Sequence, residues 1–298
     1  MKNPESIPCY CISHVQPVVP ERFYTDVVAL GEYGRDLPCH VSKVDSFWDE
    51  ARPVAFSSAG LAVIPKIVEA SSTASVVGIC SYRKIILPKA HAPINPLRFQ
   101  VETLLSDVEG LSLADCLPPN LEHEFLVTGP VYFTDGIIGQ YSKYHVLRDL
   151  LDYAALAIEL GVLSQEEAKE FLMCPILIPG GCDVGFYPRQ WLLETLGKLE
   201  ILGREFVKRY GNRILGYDQF NRRALNFLGE RLGSFFVLSE LMRRYQGQIT
   251  YNIGNRYPSG SSQLMDPSQT LTFIPPEIFG RMHVFVENYG TYSGGLAD

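Results

Sequence analysis

Residues 76–89 read VVGICSYRKIILPK. Two apolar runs, Val76–Cys80 and Ile85–Leu87, flank the tetrapeptide Ser81-Tyr82-Arg83-Lys84. The first run carries β-branched residues and no charge, which predicts a buried strand. The second predicts another strand or an extended continuation of the first. Burying two unpaired cations is costly, so Arg83 and Lys84 need solvent, a carboxylate or an anionic ligand. In open α/β sheets the ligand sits beyond the carboxyl ends of the strands, which is where this pattern places Tyr82, Arg83 and Lys84.

Upstream, IPCYCISHV predicts a strand ending near His14, before Pro17 and Pro20. Residues 58–70 predict a helix interrupted by Pro65, and residues 97–126 predict irregular chain with short helices. Downstream the pattern turns helical. Residues 143–161 have apolar positions at helical spacing and close on Gly161. Ser164 and Glu167 form a capping box before the next helix. CPILIPGGCDVGFY (174–187) has strand character around a Gly-Gly turn, and Pro188 suits the first turn of a long helix. Residues 217–245 predict another. The segment from Gln246 is rich in Gly, Pro, Ser and Tyr and predicts a loop or lid, with a last strand in 281–289. Strands early and helices late indicate an α/β protein.

With 46% hydrophobic residues in 298, the chain has ample material for a core. A net charge of -7 argues against a nucleic-acid partner. No window approaches eighteen uninterrupted apolar residues, and MKNPESIPCYC lacks the pattern of a signal peptide. Seven cysteines, an odd number without a C-x-x-C pair, fit reduced thiols in a cytoplasmic protein. Peripheral contact with the inner face of a membrane is compatible with this composition.

VVGICSYRKIILPK resembles the core of a bacterial glycosyltransferase family of capsule and exopolysaccharide gene clusters, long catalogued as a domain of unknown function. Gly78, Ile79, Tyr82, Arg83 and Lys84 match its Gly-Leu-x-His-Tyr-Arg-Arg strand, and Ile85, Ile86, Leu87 and Pro88 its Ile-Ile-Leu-Pro segment. Gln140, Tyr141, His145 and Leu150 resemble its Gln-Tyr…His helix. Residues 180–202 resemble its Asn-Met-Phe-Ile-Met segment and following amphipathic helix, and Arg223 or Arg222, with Phe227, Glu230, Arg231 and Leu232, its Arg-x-x-Gly-Phe-x-x-Glu-Arg-Leu helix. Ser81 stands where the family has His, and Asn226 where it has Gly. The resemblance implies a GT-A-like fold: one Rossmann-type mixed sheet flanked by helices, with a helical C-terminal half. It implies a glycosyltransferase domain over 1–245 with 246–298 as a loop or lid extension packed on it. The implied activity is transfer of a sugar from a nucleotide-diphosphate donor, a UDP-sugar foremost, to a saccharide or lipid-linked saccharide in surface polysaccharide biosynthesis.

Such a transfer needs stabilisation of the departing diphosphate, by fixed cations or a divalent metal, and in an inverting course a base for the acceptor hydroxyl. Arg83 suits a phosphate through its planar fork and Lys84 as a point charge. His14, Tyr82 and Arg223 are the other candidates for the nucleotide. Asp135 and Asp183 both sit in Gly-containing turns. Asp183, beside the Gly-Gly turn, is the preferred catalytic carboxylate and ligand for sugar or for manganese or magnesium. A turn-forming Asp bonded to its own backbone is the bland alternative. At 100° per residue Arg223 and Glu230 lie about 20° apart on one helix face, with Glu230 at the margin of the apolar stripe. Glu230 is therefore the candidate base, and a buried Glu–Arg pair the alternative. Tyr217, Phe220, Tyr251 and Tyr257 are candidates for stacking on sugar or base. Since no Asp-x-Asp pair occurs, a catalytically degenerate glycan- or nucleotide-binding protein of the same fold is the rival function. A hydrolase with Cys182 as nucleophile is a third.

Overall fold

Alternation along two strands divides the central sheet into two faces. In β1 (Cys9–Ser13) the side chains of Tyr10 and Ile12 enter one apolar cluster, while those of Cys9 and Cys11 enter another. In β3 (Val76–Ser81) Val77 and Ile79 join the first, and Val76 and Cys80 the second. This is the period of two expected of strands buried on both faces. The first cluster takes in the helices. The second is closed by Val19 and Phe23 of the segment after β1.

The computed structural model describes residues 7–88, 121, 124–245 and 274–285, and the backbone of strands 102–105 and 262–264. The main sheet has eight strands among the described residues. With β2 (Asp26–Ala29), the order β2-β1-β3 is parallel, Cys11 facing both Val27 and Cys80. Tyr82 and Arg83 form the tight turn into β4 (Lys84–Leu87), with Ser81 opposite Lys84. The second apolar run is therefore a separate antiparallel strand, and the two cations lie at a hairpin tip rather than along one extended run. The sheet continues through β11 (Phe279–Phe285), antiparallel to β4 and parallel to β5 (Glu102–Leu105) and β6 (Val127–Thr128). Residues 97–126 thus contain a strand where irregular chain and short helices were expected. Most of 246–298, including Tyr251 and Tyr257, lies outside the described residues, but its strand β11 is an inner strand of the sheet. A small second sheet places β7 (Val131–Phe133) between β8 (Ile176–Leu177) and β10 (Ser262–Leu264). β9 (Gly185–Pro188) pairs antiparallel with the first part of β3. There Gly78 is required by space: a Cβ would fall 2.5 Å from the Phe186 ring and 3.0 Å from Cys9 Sγ.

Four short helices follow β2: α1 (Val41–Val44), α2 (Ser46–Glu50), α3 (Arg52–Ala55) and α4 (Ser58–Ser71). α4 buries Leu61, Ile64, Ile67 and Val68 at helical spacing and keeps Pro65 within it. Gly60 lets it close on β1, since a Cβ would lie 2.6 Å from Ile12. The predicted 143–161 helix is two helices, α5 (Gly136–Tyr144) and α6 (Leu147–Glu159), broken at the extended His145. Tertiary packing overrides helix propensity there: the His145 ring is stacked 4.1 Å from Phe227 and 5.3 Å from Phe220. α7 (Gln165–Met173) opens on the Ser164–Glu167 capping box, with both reciprocal bonds formed. α8 (Arg189–Leu215) and α9 (Ala224–Tyr245) complete the helical half. Pro188 ends β9 and caps α8. Arg223 belongs to a 3-10 turn, Asn221–Arg223, ahead of α9, so it does not share a continuous helical face with Glu230 as its spacing suggested.

Candidate functional site

The chain leaves β1 towards β2 on one side, and α1–α4 return it to β3 on the other side of β1. The carboxyl ends of β1 and β3 therefore flank a topological switch point, where open α/β sheets hold ligands. His14 follows β1, and Tyr82 and Arg83 follow β3. The His14 and Tyr82 rings meet edge to face at 5.2 Å, and the Arg83 guanidinium lies 5.3 Å over the Tyr82 ring. The hairpin tip is anchored because Tyr82 O accepts from the amides of Val18 and Val19, and Tyr82 N donates to Ile12 O. His14 is exposed at its outer edge. Partial burial of its ring, and then the fields of Arg52, Arg83 and Arg223, hold the imidazole below its usual range. Arg223 lies over Phe227 at 5.4 Å, and its turn packs against α3, which begins with Arg52. Three arginines thus converge on one histidine. Arg52 went unnoticed in the sequence, since nothing local marks it out.

The two carboxylates enter from the other half of the chain. Residues 178–184 are tied to α9 at several points. Ile178 N donates to Ser234 Oγ at 2.7 Å and Gly180 N to Glu230 Oε1 at 2.9 Å, while Tyr187 OH of β9 donates to Gly181 O at 2.7 Å. Gly181, at φ +48°, packs directly on the α9 backbone. Asp183, which begins the approach to β9, closes the turn by donating its N–H to Gly180 O at 2.6 Å. Burial pushes its carboxyl well above the usual range. The Glu230 carboxylate raises it further, and Lys84 opposes both. Asp183 therefore feels both Glu230 and Lys84, the first residue of β4. Glu230 has a side chain 31% exposed, with Oε2 3.9 Å from the guanidinium of Arg231, whose own side chain is 5% exposed. Glu230 thus sits at the margin of the buried stripe, as its position in the pattern suggested.

Arg231 itself is structural. Its guanidinium donates to Gln140 Oε1 at 3.0 and 2.8 Å and to Phe227 O at 2.8 Å. His145, the other family-like residue of this group, is pushed down to about 3 by burial and then by Arg231 and Arg223. Asn226 is a latch: Oδ1 accepts from Ser58 N at 3.1 Å and Ser58 Oγ at 2.7 Å, and Nδ2 donates to Ser57 Oγ at 2.8 Å. It thereby fastens α9 to the amino end of α4, an N-cap supplied from 168 residues away. Phe220 stacks on His145, and Tyr217 donates to Asp149 Oδ1 at 3.2 Å, so both serve the helix packing. Asp135 precedes α5 and pairs with Lys143 at 2.9 Å. Cys182 is fully buried, donates to Gly233 O at 3.7 Å, and has its thiol pushed well above the usual range by burial, a poor setting for a nucleophile.

A cavity of about 30 Å³ runs behind Asp183 to Tyr153, Ser58 and Glu200, with room for one or two waters. A larger cleft of about 330 Å³ lies at the opposite end of the strands, against Glu21, Asp26 and Cys39. Among the described residues no three His, Cys, Asp or Glu side chains assemble as a metal-ligand set. Asp183, with Glu230 as its carboxylate neighbour, is where a divalent ion would find oxygens, opposed there by the charge of Lys84.

The pH response of Asp183 can be read directly. Its unfolded pKa is about 3.9. Between that value and its raised folded value, the native state holds a proton that the unfolded chain has lost. Stability therefore falls as pH rises through this window, by at most about 1.4 kcal/mol per unit for one proton. Asp183→Asn should flatten the fall in melting temperature as pH rises above about 4. Parallel curves for the two proteins would show that Asp183 titrates normally.

No family model matches the chain, and no curated protein matches it in sequence. Among solved structures, the chain is similar to the apo structure of WbbM, a bifunctional glycosyltransferase, with a TM-score of 0.54 and 13% identity. The match covers 88% of this chain and 45% of that one, so the chain spans less than half of the protein it resembles. At this identity the likeness is one of fold, and among the described residues no helix is long and apolar enough to cross a membrane. The chain has a glycosyltransferase-like α/β fold: a central mixed sheet flanked by helices, with its helical half towards the C-terminus.

Proposed function

We propose that the protein is a nucleotide-sugar-dependent glycosyltransferase acting on a saccharide or lipid-linked saccharide acceptor, with a UDP-sugar as its donor. The observation that carries this reading is the gathering of Arg52, Arg83 and Arg223 around His14 at the carboxyl ends of β1 and β3. The glycosyltransferase-like fold supports it. His14, Tyr82, Arg83, Lys84 and Arg223 hold the donor, the cations facing the diphosphate. In an inverting course Glu230 takes the acceptor hydroxyl proton as that oxygen bonds to the anomeric carbon. The bond from carbon to phosphate oxygen breaks, and the diphosphate leaves with its electrons onto the arginines and Lys84. Asp183, which keeps its proton to unusually high pH, donates a hydrogen bond to the donor sugar, and no step is routed through a metal. The motif resemblance adds a setting, surface polysaccharide assembly in a bacterial cytoplasm at the inner face of the membrane.

Arg83→Ala tests the donor site. It should weaken binding of uridine 5′-diphosphate by about 10- to 100-fold, the loss expected for one or two charge-assisted hydrogen bonds, and leave uridine binding nearly unchanged. Calorimetric titration of both ligands decides it. Equal losses for both would take Arg83 off the phosphates.

One observation favours the rival reading, a non-catalytic binding protein of the same fold. Glu230 already has one oxygen on Gly180 N and the other near Arg231, as a structural carboxylate would. Such a protein would bind uridine 5′-diphosphate and release none from any nucleotide sugar offered with an acceptor.

A further inference from the structure

Arg52 is half-buried, and among the described residues its guanidinium makes no hydrogen bond or ion pair, although its charge contributes to lowering the Glu32 carboxyl. Other arginines of the helical half have clear structural partners. Arg204 binds Asp45 and Glu200, Arg209 binds Glu159 and Glu205, and Arg213 binds Asp149 and Asp152. A guanidinium held in place without an acceptor retains its hydrogen-bonding capacity for a ligand. Arg52 is held in place by sterics. Its guanidinium lies across Gly31, just beyond β2, so closely that a Cβ on Gly31 would fall 2.8 Å from Cζ. Gly31 has φ +67° and is fixed in turn by His40 Nε2 at 2.9 Å from its carbonyl. β2 and β1 are in register to their ends, with Leu30 N donating to Ser13 O, so Gly31 and Arg52 stand beside His14. From the other side, the turn bearing Arg223 packs on the helix that Arg52 begins.

We propose that Arg52 is the third arginine of a diphosphate seat, closing with Arg83 and Arg223 around the β1/β3 switch point so that the leaving group is held by guanidinium groups in place of a divalent ion. This rests on the donor reading above and extends it to the charge balance of the site. Two phosphates need several positive charges, and three arginines with Lys84 supply them in fixed positions. Planar forks also match phosphate oxygens two at a time, which a lysine cannot do.

The test uses inorganic pyrophosphate, uridine 5′-diphosphate and uridine as probes, by calorimetric titration of the full chain in buffer with excess chelator. The wild-type protein should bind both diphosphates under chelator, with affinity unchanged on adding manganese. Arg52→Ala should weaken both by about 10- to 100-fold and leave uridine alone. Arg52→Lys should recover only part of the loss, because charge returns without the fork. A melting temperature within about 2 °C of wild type in both variants establishes that each is folded; if Arg52→Ala melts lower, Arg52→Lys carries the comparison. Diphosphate binding indifferent to both substitutions overturns the seat, and so does binding that disappears under chelator. Failure of the donor reading looks different: both diphosphates bind through Arg52 as expected, yet no nucleotide sugar is turned over.

Discussion

Glu230→Gln should lower the single-turnover rate by about 10²–10⁴-fold, the usual contribution of a general base, while donor affinity stays within about twofold. Glutamine keeps the carbonyl oxygen that accepts from Gly180 N, so the 178–184 loop should stay clamped to α9. What it removes is the negative charge able to take the acceptor proton. It also removes a like charge beside Asp183, whose carboxyl should then return part of the way to its ordinary range. A structural Glu230 behaves differently. Arg231, buried and with Glu230 as its nearest carboxylate at 3.9 Å, would lose its counter-charge, at a cost of up to about 3–5 kcal/mol. Melting temperature and single-turnover rate on the same variant separate the two. A stable, slow protein supports the base. A destabilised one whose folded fraction turns over normally makes Glu230 a structural partner of Arg231.

The largest stability effect should come from Gly181→Ala. Gly181 sits at φ +48°, and an added Cβ would lie 2.4 Å from Glu230 O and 3.0 Å from Ser234 N. Both are backbone atoms inside a 22-residue helix, so neither can turn aside. The left-handed backbone costs about 1–2 kcal/mol and the overpacking about 1–3 kcal/mol, together about 2–5 kcal/mol. Melting should fall by about 5–15 °C. The loop must also lift from α9, carrying Asp183 with it, so activity should drop more than the folded fraction does. Gly197→Ala is the control: it is helical, its added methyl meets nothing within 4 Å, and it should be neutral or slightly stabilising. Equal melting temperatures for the two variants would mean that the 178–184 loop is not seated on α9 as described.

The strands that carry the site were legible because burial on both faces leaves a plain signal. Cys9–Ser13 and Val76–Ser81 are short apolar runs closed by polar residues, and the polar residues that close them reach the ligand end of the sheet. Asp183 and Glu230 could be picked out for a similar reason, one beside a glycine turn and the other at the edge of an apolar stripe. What local pattern could not give was pairing at long range. Asn226 reads as an ordinary helix residue, and only the fold shows it capping α4. His145 reads as helical until the rings of Phe220 and Phe227, 75 and more positions away, draw it out of the helix. Arg52 carries no signal of its own, since its meaning comes from Gly31, His14 and Arg223. The same limit explains the face shared on paper by Arg223 and Glu230: a constant 100° step runs through a 3-10 turn that sequence does not announce.

The central claim is that the switch-point arginines and the paired carboxylates transfer a glycosyl group. The most direct measurement is acceptor-dependent release of nucleoside diphosphate from a panel of nucleotide sugars offered with saccharide and lipid-linked saccharide acceptors. It should be run on the wild-type protein and on Arg83→Ala at equal folded concentration. Diphosphate release that requires an acceptor, with rate falling at least tenfold in Arg83→Ala at subsaturating donor, is the expected result. Binding of uridine 5′-diphosphate with no release from any donor–acceptor pair, or release that ignores the loss of Arg83, would contradict it.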